Sequence, residues 1–75
     1  MPTLDKANLK QHVKIKSLRS LAADYRQQLQ AIGIVPNAEL QIIRRAPLGD
    51  PIQINVNNTC LSLRQKDAAA IEIWE

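Results

Sequence analysis

The chain has 75 residues, with ten Lys and Arg against seven Asp and Glu, a net charge of +3, one Cys, one Tyr, one Trp and no Phe. That length supports one domain over residues 1–75 with a small aliphatic core, and a single Cys excludes an internal disulfide and fits a reducing compartment. No run of about eighteen apolar residues and no signal-like apolar start is present, so a cytoplasmic protein is expected.

In chain order, Thr3 suits the cap of a short turn reaching Ala7, with Leu4 as its anchor onto the core. Residues 8–11 are polar and read as a loop. From His12 the pattern alternates, with Val13 and Ile15 inward and His12, Lys14 and Lys16 outward, which predicts a half-buried strand ending near Leu18. The period then lengthens. Leu18, Leu21, Ala22, Tyr25, Leu29 and Ile32 fall on one face, and Asp24, Arg26, Gln27, Gln28 and Gln30 fall between them. This spacing predicts an amphipathic helix over 21–32, with Ser20 as N-cap, Ile32 in the core and Gly33 left-handed after its end.

Pro36 and Asn37 suit the centre of a tight turn, since Pro fixes φ and Asn tolerates a positive one. Residues 39–45 predict a second strand, with Leu40 and Ile42 facing one way and Gln41, Ile43 and Arg45 the other. The stretch Arg45-Ala46-Pro47-Leu48-Gly49-Asp50-Pro51-Ile52 then places two prolines and a glycine in a rigid connector. Pro47 fits the second position of a β-turn and Gly49 the fourth, Asp50 is extended by the proline after it, and Pro51 can open a strand. Ile52, Ile54 and Val56 alternate with polar residues, and Asn57-Asn58 reads as a two-residue hairpin turn. In the next strand Leu61 and Leu63 point inward and Cys60 and Ser62 outward. Residues 65–69 fit one helical turn, and 71–73 a last strand. Five short strands and one early helix predict a mainly β fold, a small and strongly bent antiparallel barrel.

Chemistry-bearing constellations are sparse. His12 and Cys60 are isolated, whereas metal sites need three or four ligands at set spacing, so no metal or other cofactor is expected. The carboxylates are scattered over outward positions, and there is no Gly-rich phosphate loop, so no enzyme is expected. The basic lean lacks a run of like charges and comes with almost no aromatics for base stacking, so nucleic acid is not expected as a partner. Arg44, Arg45, Arg64 and Lys66 could share a face near the connector. Ile43, Leu48 and Trp74 are apolar groups at outward or loop-tip positions, and together they would form a partner-sized patch.

Three strings carry a resemblance: YRQQLQAIGIVPN (25–37), RAPLGDPIQI (45–54) and LSLRQKDAAAIEI (61–73). In this order and spacing the chain resembles the FeoA family of small cytoplasmic proteins of bacterial ferrous iron uptake. Asn37 stands where that family usually has glycine, a glycine common before the first strand is absent from Ala7-Asn8-Leu9-Lys10, and the match before Leu18 is generic. The resemblance implies a Src-homology-3-like β-barrel with an inserted helix and a non-catalytic accessory role. It implies as partner the ferrous iron permease, bound through its cytoplasmic GTPase domain, so that the membrane is met only indirectly. The matching positions are the helix end (Leu29, Ile32, Gly33) and the connector (Pro47 to Pro51). Candidate partner-binding residues are accordingly Leu29, Ile43, Arg45, Leu48, Asp50 and Trp74, with Leu29 and Leu48 open between core and surface. Two other readings are a metal-responsive barrel related to the C-terminal domains of repressors, and a small nucleic-acid-binding barrel.

Overall fold

The computed structural model describes residues 2–74. A 3₁₀ turn at Leu4–Lys6 is followed by β1 (His12–Ser17), α1 (Ala23–Ala31), β2 (Glu39–Arg45), β3 (Ile52–Val56), β4 (Thr59–Leu63), α2 (Gln65–Ala68) and β5 (Glu72–Ile73). The strands form one antiparallel sheet in the order β4-β3-β2-β1-β5. Val13, Ile15, Leu40, Ile42, Ile52, Ile54, Val56, Leu63 and Ile73 all enter a single core, as their alternation predicts. The short turn carries Leu4 into that core, and Leu4 N–H donates to the Ile71 carbonyl at 2.9 Å. Thr3 makes no side-chain cap there; its hydroxyl donates instead to the Asp5 carboxylate.

The turns follow their residue chemistry. Ala38 N–H donates to Val35 O at 3.0 Å across Pro36-Asn37, with Asn37 at φ 71°. Asn57 and Asn58 take φ 53° and 61°, the left-handed pair that a two-residue hairpin requires.

Three sequence expectations are corrected. The helix starts at Ala23, and Ala22 rather than Ser20 is its N-cap, with no side-chain cap bond. A turn closed by Leu21 N–H to Leu18 O at 3.0 Å buries both leucines first, so the chain enters the helix only after Leu21. Ile32, expected in the core, is 43% exposed. The helix has ended by then, and Ile34, after the left-handed Gly33 (φ 100°), takes the buried position instead. The third correction concerns Arg45. A β-bulge sets Ile43 and Arg44 of β2 against Gln53 alone, while Arg45 pairs with Ile52. Directly paired residues share a face, so Arg45 lies on the side of Ile42 and Ile52, not on the opposite one.

Lys10 is a non-glycine residue at φ 66°, in a turn closed by Gln11 N–H to Asn8 O at 3.2 Å. A side chain in that region costs about 1–2 kcal/mol, offset in part by the extra unfolded-state freedom of glycine, about 0.5–1 kcal/mol. Lys10→Gly therefore stabilises the fold by about 0.5 kcal/mol, a rise of roughly 2–4 °C in melting temperature by circular dichroism.

Candidate functional site

The connector between β2 and β3 is rigid for identifiable reasons. Gly49 N–H donates to Ala46 O at 2.7 Å, closing a turn with Pro47 second and Gly49 fourth. Ala46 N–H donates to Pro51 O at 3.1 Å. Asp50 Oδ1 accepts the Gln65 N–H at 3.0 Å, which ties the connector to the start of α2. Behind it, Arg45 Nη2 donates to the Ala7 carbonyl, fastening the end of β2 to the N-terminal segment. Leu48 stands at the apex of this frame and is 95% exposed. Burying such a side chain is worth about 1.5–3 kcal/mol, and here that gain is left unrealised within the chain.

The other sequence-selected residues fall in different places. Leu29 is 4% exposed and belongs to the core; as the one buried residue of α1 it anchors the helix and cannot reach a partner. Ile43 is half-buried at the β2 bulge. Trp74 is 49% exposed beyond β5, with Lys16 Nζ 5.0 Å from its ring centroid. Arg45, Leu48 and Asp50 are thus gathered by the connector, while Ile43 and Trp74 sit on other elements.

An open groove of about 890 Å³ runs beside the connector, where Asp50 and Pro51 meet Arg64, Gln65 and Lys66. Arg64 and Lys66 thereby lie next to the connector, but the four basic residues do not share one face: Arg44 and Arg45 are successive residues on opposite faces of β2, and neither lines this groove. A second groove of about 620 Å³ shares Arg64 and Lys66 and lies between the entry to α1 (Leu21, Ala22, Tyr25) and the end of β4 running into α2 (Ser62 to Ala70). Sequence reasoning missed it, because only the approach of residues 20–25 to residues 62–70 creates it. The Tyr25 phenol and the Asp67 carboxylate both line it. Burial and then the Asp67 charge hold the phenol above its ordinary value of 10.0, against an opposing pull from Arg64. Folding therefore favours the protonated phenol. The stability it contributes is complete below about pH 10 and falls as pH rises from the unfolded value through the folded one. As Tyr25 is the only tyrosine, phenolate absorbance reads it directly: its midpoint lies higher in the folded protein than in urea. Tyr25→Phe removes the absorbance change.

Among the described residues no three His, Cys, Asp or Glu side chains converge. His12, Gln41, Asn55 and Cys60 form one transverse row across β1 to β4, which separates His12 from Cys60 by three strand spacings, about 14 Å. His12 Nδ1 instead lies 3.6 Å from Glu39 Oε1, both exposed. No described helix is long and apolar enough to cross a membrane.

A bent five-stranded antiparallel sheet with an inserted helix, presenting a rigid loop and two open grooves, defines a small β-barrel module. It is similar to the FeoA protein of Chlorobium tepidum, at TM-score 0.91 and 30% identity over 96% of this chain and 68% of that one. Iron(II) transport protein A of Clostridium thermocellum matches at TM-score 0.87 and 32% identity, over 96% of this chain and 44% of that one. FeoA of Stenotrophomonas maltophilia, solved with zinc and described as a prokaryotic SH3 domain protein, shares the fold at TM-score 0.83 and 24% identity, covering 97% and 89% of the two chains. The barrel is thus SH3-like. The FeoA domain model matches residues 3–74, and the chain belongs to the FeoA family.

Proposed function

We propose that the protein is a non-catalytic accessory module of bacterial ferrous iron uptake, which docks on the cytoplasmic GTPase domain of the ferrous iron permease and supports transport. Family membership supports the iron-transport role. The observation that carries docking is Leu48, a fully displayed leucine on a frame stiffened by two prolines and by the Asp50–Gln65 tie. Interfaces draw most of their energy from a few residues seated in well-packed partner pockets, and a leucine displayed on a rigid frame can fill one. On this reading the protein works in the cytoplasm and meets the membrane through its partner, with iron as the cargo of the permease. Calorimetric titration with the purified GTPase domain, with and without guanine nucleotide, tests it. Saturable binding supports docking. No binding under any nucleotide condition, together with normal iron uptake in a deletion strain, overturns it.

A further inference from the structure

We propose that the open edge of β4 takes up an extended acidic segment of the protein partner as an added strand, which runs on into the groove between the end of β4 and the entry to α1. The inference rests on the docking reading and names the kind of segment that is bound.

Among the described residues β4 is the outermost strand and pairs with β3 alone. The pair that closes a two-residue hairpin is hydrogen-bonded, so the ladder from Val56–Thr59 assigns the backbone groups of Thr59, Leu61 and Leu63 to β3. Those of Cys60 and Ser62 therefore point away from the sheet. Among the described residues, no backbone hydrogen bond outside the ladder reaches either one. Sheet edges are normally protected by charges, prolines or bulges, yet Thr59-Cys60-Leu61-Ser62-Leu63 has no charge and no proline, and its register is unbroken. The opposite edge, β5, is only two residues long.

The two ends of the α1 segment come near the two ends of the β3–β4 hairpin's outer strand. At one end Gly33, just past the helix, approaches Asn57 so closely that a Cβ there would sit 2.0 Å from Asn57 Nδ2. At the other end Leu21, Ala22 and Tyr25 line a groove of about 620 Å³ together with Ser62 at the end of β4 and with Arg64, Lys66 and Asp67 beyond it. An exposed sheet edge is the arrangement used for strand addition, in which backbone bonds give affinity and pockets select side chains. Charge sets the class of segment. The groove has one carboxylate, Asp67, beside the Tyr25 phenol, while neither Arg64 nor Lys66 has a carboxylate within 4 Å among the described residues. An acidic side chain in the added strand would meet both cations.

The test uses random nonapeptides displayed on phage, selected against the purified full chain. The expected result is enrichment of peptides with acidic residues, whose binding slows amide exchange at Cys60 and Ser62. Ser62→Pro removes an outward N–H and no ladder bond, and proline is tolerated on an edge strand. It lowers peptide affinity at least tenfold with an unchanged melting temperature, and Arg64→Glu with Lys66→Glu lowers it about tenfold. Peptides without acidic enrichment, peptides bound equally by Ser62→Pro, or self-association through β4 that peptides do not displace would each overturn the inference. If Ser62→Pro binds the GTPase domain normally while Leu48→Asp does not, docking stands and the added strand falls. If selected peptides bind at β4 but the GTPase domain does not bind at all, the proposed partner falls and the edge site stands.

Discussion

Leu48→Asp is expected to weaken binding to the permease's GTPase domain by roughly 100-fold or more while leaving the melting temperature within about 4 °C of the original. The two halves of this expectation have separate causes. Within the chain Leu48 is 95% exposed, and substitutions at such positions usually change stability by less than about 0.5 kcal/mol. At a partner surface, losing the burial of a leucine costs about 1.5–3 kcal/mol, and a carboxylate forced into an apolar pocket adds its own desolvation. With tenfold per 1.4 kcal/mol, the sum reaches about two orders of magnitude. Leu48→Met, similar in volume and apolar, retains most of the affinity. Asp50→Ala keeps the leucine but releases the tie to Gln65, so its binding falls between the two. Calorimetry on the four proteins gives the order, and iron uptake in a deletion strain complemented with each gives the cellular counterpart. Full affinity in Leu48→Asp would remove Leu48 from the interface.

Much of this fold is legible in the sequence because its signals are local. The alternation of Val13 and Ile15, or of Ile52, Ile54 and Val56, follows from a period of two that depends on nothing distant. Pro47, Gly49, Asn37 and the Asn57-Asn58 pair announce their turns because φ is decided within each residue. What stayed hidden depends on registry between segments. The bulge at Ile43 and Arg44 exists only against Gln53, and it alone moves Arg45 to the other face, where it meets the Ala7 carbonyl. The helix start was displaced because Leu18 and Leu21 are buried before Ala23, a demand of the core that outweighs the capping preference of Ser20. Leu48 is displayed because the connector closes on itself through Ala46, Gly49 and Pro51, a geometry that composition suggests without fixing the direction of the side chain. The groove at the end of β4 requires residues 20–25 and 62–70 to lie together, and no local pattern reports that.

Leu29→Ala is expected to be the most damaging single truncation in α1, costing about 3 kcal/mol. Leu29 is the helix's one buried residue, and leucine-to-alanine changes in cores cost about 2–5 kcal/mol, depending on how far the site collapses. Leu29 also takes part in the helix stop. Ile34 N–H donates to Leu29 O at 3.0 Å and Gly33 N–H to Gln30 O at 3.1 Å, a Schellman arrangement with Gly33 in the left-handed position. The apolar contact that accompanies this motif joins the residues at its two ends, here Leu29 and Ile34, both in the core. A domain of this size has a total stability of only about 4–11 kcal/mol, so the loss is a large fraction of it and lowers the melting temperature by roughly 12–24 °C. Gly33→Ala attacks the same junction from the backbone: its φ of 100° strains any side chain, and the new Cβ must displace the Asn57 amide. It costs about 1–3 kcal/mol. Because the entry to α1 lines the groove at the end of β4, amide exchange in Leu29→Ala rises first in α1 and then along β4, while the β2–β3 connector keeps its protection. Uniform loss of protection across the barrel would show instead that α1 and the sheet unfold as one unit.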